Sequence, residues 1–172
     1  PGPHAYGSGR SPAEYGAWCL EETERTIARE GARTIAAFIA EPVQGAGGII
    51  VPPDDYFPLI RQICTKHDVL FIADEVITGF GRTGDWFALT RWNVQPDILA
   101  FAKGITSGYL PLGGIMVSRP VLDAMLSAPY GDRWMHAYTY SGHATCCAVG
   151  LRNLELIEKE GLVDNAAKMG AR

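Results

Sequence analysis

The sequence carries only four lysines, and one of them, Lys103, directly follows the apolar run Ile98–Ala102. Lys66, Lys159 and Lys168 fall on polar faces of helical patterns. A lysine at the end of a buried strand loses part of its hydration. That favours the neutral amine, which is the form that attacks a carbonyl. The plain alternative is a lysine that reaches solvent from a strand end along its own aliphatic stem. Two further apolar runs end in the same manner, on Glu41 and on Asp74-Glu75. In open α/β sheets ligands bind beyond the carboxyl ends of the strands, so these positions would share one edge. A carboxylate such as Asp74 could pair there with a cation, including a protonated ring nitrogen of a cofactor. An acid pair holding magnesium in a nucleotidase is the competing reading. It requires a phosphate loop of the form G-x-x-x-x-G-K-[ST], which these residues lack.

The elements that would position these groups are legible in the pattern. Ser11-Pro12-Ala13-Glu14 is a helix start: a capping serine, proline in the first turn and glutamate three residues on. The helix is expected to run to Glu30 with Gly31 as its stop, burying Ala13, Ala17, Leu20 and Ile27. Asp54 or Asp55 opens a second helix with Tyr56, Ile60, Ile63, Cys64 and His67 on one face. Strands are expected at 34–40, 69–73, 97–102 and 113–117. Helices are expected at 119–127 and 142–160, and a further one from Val163 to Arg172. Apolar strands separated by helices predict an α/β fold, a mainly parallel sheet covered by helices on both faces. The opening ten residues, rich in Gly and Pro, read as loop. The glycines of Thr78–Gly84 allow tight turns close to a ligand or a partner, and equally an ordinary loop. The Gly45–Gly48 cluster does not follow the G-x-G-x-x-G nucleotide pattern.

Composition narrows the function classes. The 172 residues are 47% hydrophobic and 20% charged, with net charge −4 and no basic block, which disfavours a nucleic-acid or anionic-membrane partner. No apolar run approaches a bilayer span, and no secretory signal opens the chain. Cys19, Cys64, Cys146 and Cys147 form no C-x-x-C pair and no metal spacing, so no metal site is expected; they read as reduced core thiols of a cytoplasmic protein. The chain begins at Pro1 without a methionine and stops inside a helical pattern, so a piece of a longer protein is expected.

Taken together, Ala40-Glu41-Pro42-Val43-Gln44-Gly45, Asp74-Glu75-Val76-Ile77-Thr78-Gly79-Phe80-Gly81-Arg82-Thr83-Gly84, Pro96-Asp97-Ile98 through Lys103-Gly104, and Tyr138-Thr139-Tyr140-Ser141-Gly142-His143 resemble the class III aminotransferases. These are fold-type-I enzymes dependent on pyridoxal 5'-phosphate. The resemblance spans residues 34–160 and implies a role for each matching position. Lys103 would hold the cofactor as an imine and move the substrate proton. Asp74 would pair with the pyridine nitrogen, and Val76 would pack on the ring face. Thr139 would donate to the cofactor phosphate of a neighbouring subunit, implying a homodimer with a shared site. Glu41 would lie on the substrate side. From the residues alone, core packing for Val76 and helix capping for Thr139 stand as alternatives.

Ile77 stands where many members have Gln, which puts that residue's contact with the ring's phenolic oxygen in question. Ala144 stands where many have Pro. The runs Thr78–Phe87 and Ser107–Gly113 resemble members that act on ω-amines or ω-amino acids with pyruvate. The implied reaction is ping-pong transfer of an amino group from an amine or amino acid to a keto acid. A racemase, aminomutase or decarboxylase on the same fold, and a non-catalytic α/β binding domain, are the alternatives. Residues 1–160 would form part of the large cofactor-binding domain without its N-terminal portion. Residues 161–172 would lead toward a C-terminal small domain. Lacking both parts, these residues alone are expected not to turn over.

Overall fold

The computed structural model describes residues 8–171. The expected loop at the start of the chain therefore lies, up to residue 7, outside the described residues. Helix α1 (Pro12–Glu30) begins with the reciprocal cap read from the sequence. Ser11 Oγ accepts from Glu14 N (3.3 Å), and Ser11 N donates to the Glu14 carboxylate (2.8 Å). Gly31, at φ +84°, ends it by donating its N–H to Ile27 O (2.9 Å).

The buried stripe of α1 is Tyr15, Gly16, Cys19 and Ile27, not the Ala13–Ala17–Leu20 line expected. Helix α2 (Tyr56–Lys66) and the Pro53 turn before it decide this. A Cβ on Gly16 would come within 3.0 Å of Pro53 Cγ, so the helix approaches on that side. Tyr15 and Cys19 then join the core cluster that holds Tyr56, Phe57, Ile60 and Cys64.

The sheet runs β1 (Ala37–Ala40), β2 (Leu70–Asp74), β3 (Ile98–Phe101), β4 (Gly114–Val117) in that spatial order. The first three are parallel, with Ala40 opposite Ala73 and Asp74 opposite Ala100. The fourth is antiparallel to β3. Its connection holds one short 3-10 turn (Lys103–Ile105) and no crossover helix, and a parallel return needs one. The first strand is shorter than expected, because Ala32–Thr34 close a 3-10 turn instead of extending.

Alternation along the strands separates two faces. Phe38, Ala40, Phe71, Ala73, Leu99 and Phe101 pack with α1 and α2, and the Phe57 and Phe71 rings stack at 6.1 Å. Residues of the other parity include Ile39, Ile72 and Asp74. Helix cover was expected on both faces; on this second one it is incomplete, since Ile39, Leu70 and Ile115 stay exposed. Helices α3 (Arg119–Ser127), α4 (Ala144–Lys159) and α5 (Leu162–Gly170) complete the chain. The glycines of the 79–84 loop meet protein, not open space. A Cβ on Gly81 would meet Val163 of α5 at 3.1 Å, and one on Gly84 would meet Ala167 at 2.9 Å.

Candidate active site

The parallel register brings the carboxyl ends of β1, β2 and β3 to one edge, and with them Glu41, Asp74 and Lys103. Asp74 closes β2 on the face of Ile72. Its Oδ1 accepts from Val76 N (3.1 Å). Among the described residues no cation pairs with it, so the rest of the carboxylate is available. It lines a cleft of about 470 Å³ together with Glu41, Gln44, Tyr56 and the β1 residues Phe38, Ile39 and Ala40. Burial pushes the Tyr56 phenol up to about 12.

Glu41 has a definite local task. Its Oε2 accepts from Gly45 N (3.0 Å) and so shapes the turn that follows β1. That turn is closed by the paired backbone bonds of Gln44 and Ile50, both 3.0 Å. Ile77 packs against this turn. A Cβ on Gly45 would overlap its Cδ1 at 2.1 Å.

Glu75, next to Asp74, is fully buried and takes no part in the cleft. Its carboxylate accepts from the Thr78 hydroxyl, from Ala88 N (3.0 Å) and from Leu89 N (2.9 Å). The last two open the 3-10 turn Ala88–Trp92, whose free N–H groups suit an anion. The Asp74-Glu75 pair is thus divided, one carboxylate to the cleft and one to the interior. A metal-holding acid pair is not formed, and no group of three or more metal-type ligands converges among the described residues.

Lys103 differs from expectation. The strand stops at Phe101, and Lys103 opens a 3-10 turn at φ +43° with an exposed side chain. The left-handed backbone turns the residue out of the strand, so the expected desolvation is not provided by these residues. Lys103 does not line the Asp74 cleft. Val76 lies half-buried in the turn after β2 and is also outside the walls of that cleft. Thr139 is exposed in a turn closed by Ser141 N donating to Tyr138 O (2.9 Å). It does not cap α4: His143 does, its Nδ1 accepting from Cys146 N (3.4 Å).

Two contributors escaped the sequence reading. Tyr56, expected only on the apolar face of α2, is cleft wall as well as core. Asn153 of α4 donates from Nδ2 to Gly104 O (2.9 Å) and Ile105 O (3.1 Å), in the turn that carries Lys103. The available signal was a polar residue inside the expected apolar stripe Cys147, Gly150, Leu151, Leu154 and Ile157, of which Cys147 and Leu151 are exposed in the structure.

Comparison with known proteins places this geometry in a family. The model for class-III aminotransferases matches residues 8–172. The putrescine–pyruvate aminotransferase of Pseudomonas aeruginosa is 48% identical over 164 residues, which is 94% of this chain and 35% of that protein. The diaminobutyrate–2-oxoglutarate transaminase of Halomonas elongata is 47% identical over 165 residues, 95% of this chain and 35% of its own. Among solved structures, an (S)-enantioselective omega-transaminase from Thermomicrobium roseum superposes with TM-score 0.91 at 54% identity, covering 99% of this chain and 38% of that one. An amine transaminase from an uncultivated Pseudomonas species, in its PLP-bound internal aldimine form, gives TM-score 0.89 at 52% identity over 94% of this chain and 37% of that one. The chain spans about a third of the length of the curated relatives it matches. With this match across nearly its whole length, the chain belongs to the class-III aminotransferases.

Proposed function

We propose that the protein is a pyridoxal-phosphate-dependent transaminase that passes an amino group from an amine or amino acid to a keto acid. The observation that carries this reading is the delivery of Asp74 and Lys103 by adjacent parallel strands to one sheet edge. The residues at the sheet edge fit the cofactor: a carboxylate with an oxygen open to a ring cation in the cleft, and a lysine at the end of the adjacent strand, outside the cleft walls. Pyridoxal phosphate, when bound, supplies an aldehyde that exchanges amino groups and a ring that accepts electrons. On this reading Asp74 would sit against the ring nitrogen and favour its protonated form, and Lys103 Nζ would hold the aldehyde carbon and carry the substrate's proton. Val76 would lie along the ring, Glu41 would face the substrate side, and Thr139 would donate to the phosphate held by a second subunit.

The names of the relatives support an ω-amine or ω-amino acid as donor and pyruvate or 2-oxoglutarate as acceptor. Exposed Trp134, Tyr138 and Tyr140 around Thr139 support a homodimer with a shared site. Cys19, Cys64 and Cys146 are buried as expected and Cys147 is exposed; the four thiols, with no disulfide among the described residues, suit the cytoplasm, and no helix there is long and apolar enough to cross a membrane. Residues 1–160 would belong to the large cofactor-binding domain, and the 172 residues alone would not turn over.

The test is borohydride reduction of the full-length protein with pyridoxal phosphate, followed by peptide mass mapping. An adduct on the Lys103 peptide, lost in Lys103→Ala, is the expected result. No adduct, or one on Lys66, Lys159 or Lys168, would refute the assignment. Conversion of the cofactor to its amine form by an amine without keto acid separates transamination from racemisation or decarboxylation.

A further inference from the structure

We infer that Asn153 is a positioning residue for Lys103, acting through the backbone of the turn that carries it. The inference rests on the reading of Lys103 as the cofactor lysine.

Lys103 sits at φ +43°, a left-handed conformation that a side-chain-bearing residue keeps only where its surroundings hold it. The turn's own bonds are long: Ile105 N to Ala102 O is 3.2 Å, Thr106 N to Lys103 O is 3.3 Å and Ser107 N to Gly104 O is 3.4 Å. The two donated by Asn153, at 2.9 and 3.1 Å, are shorter than all three. They take the carbonyls of Gly104 and Ile105, the two residues immediately after Lys103. Ser107 Oγ donates to Asn153 Oδ1 (2.9 Å), which fixes the amide so that both N–H groups face the turn.

Close packing completes the clamp. A Cβ on Gly104 would meet Phe80 Cβ at 3.0 Å and Gly79 O at 3.1 Å, so the glycine loop backs the turn on one side. On the other, Gly150 lets α4 approach: a Cβ there would meet Leu112 at 2.8 Å and Ile105 at 3.6 Å. Asn153 follows Gly150 by one helical turn, on the same face. The exposed Lys103 chain is long and free, so where its Nζ can reach is set by the direction in which its Cα is held.

The full-length protein, Asn153→Asp and Ser107→Ala are compared. Asn153→Asp keeps the shape and removes both donors; Ser107→Ala removes only the bond that orients the amide. Apoprotein is mixed with pyridoxal phosphate, quenched with borohydride over time, and the Lys103 peptide quantified. The pH midpoint of the cofactor absorbance and the melting temperature are recorded on the same samples. Capture at Lys103 is expected to slow about tenfold in Asn153→Asp and about threefold in Ser107→Ala, with a moved absorbance midpoint in both. Wild-type capture rate and midpoint in both variants would overturn the inference, even with a lowered melting temperature, because a merely structural Asn153 moves only the last. If Asn153→Asp fails to fold, Ser107→Ala decides by the same criteria. Absence of any adduct in the wild type would instead bring down the underlying assignment of Lys103.

Discussion

Asp74 and Glu75 are consecutive, yet their carboxylates lie on opposite sides of the sheet edge. One lines the cleft beside Glu41 and Tyr56, and the other is sealed against the start of the Ala88–Trp92 turn. The ladder continues one residue past β2, with Glu75 N donating to Ala100 O (3.0 Å), so alternation carries Glu75 to the face of Ala73 and leaves Asp74 on that of Ile72.

Substitution should therefore separate the two. Glu75→Ala leaves the Thr78, Ala88 and Leu89 donors unpaired in the interior and is expected to cost about 3–5 kcal/mol. Asp74→Ala gives up one bond to Val76 N, about 1 kcal/mol, while cofactor-dependent activity falls about 100-fold or more. Urea denaturation and steady-state rates on the full-length variants read the two effects.

Gly84 should be far less replaceable than Gly142. Both have positive φ, +90° and +68°. A Cβ on Gly84 would strike Ala167 Cβ at 2.9 Å and its Cα at 3.0 Å, whereas Gly142 has nothing within 4 Å. Gly142→Ala is expected to cost about 1–2 kcal/mol. Gly84→Ala adds overpacking for a total of about 2–5 kcal/mol. Hydrogen exchange should accelerate across Leu162–Gly170 in Gly84→Ala alone.

The α1 cap is expected to contribute about 1 kcal/mol, so Ser11→Ala should lower stability by that amount. Ser11→Thr should restore most of it, since the threonine hydroxyl likewise accepts from the N3 amide and donates to the Glu14 carboxylate. Chemical denaturation of the three proteins at neutral pH checks this.

Alkali should weaken the fold through Tyr56. Burial raises its folded value from 10 to about 12, so the folded state keeps a proton that the unfolded state releases. The contribution is intact below pH 10 and is lost as pH rises toward 12. By pH 11 the loss attributable to Tyr56 is about 1.4 kcal/mol, and Tyr56→Phe should not suffer it. The difference between wild type and variant, followed from pH 8 to 11, isolates this group from the other tyrosines.

Elements whose cause is local were readable from residue types alone. Ser11-Pro12-Ala13-Glu14 and Gly31 bound α1 because caps act within a few residues, and the three parallel strands announce themselves by short apolar runs ending in polar groups. The alignment of Glu41, Asp74 and Lys103 at one edge followed from that pattern, since parallel strands share a direction. Other features depend on chain segments far apart in sequence. Which side of α1 is buried was settled by Pro53, and the direction of β4 by the lack of a crossover helix after β3. The buried task of Glu75 needed the amides of Ala88 and Leu89, thirteen and fourteen residues on. The hold of Asn153 on the Lys103 turn spans nearly fifty. Periodicity records which face a residue occupies, but a hydrogen bond between distant segments leaves no period, so these contacts become visible only once packing has brought their partners together.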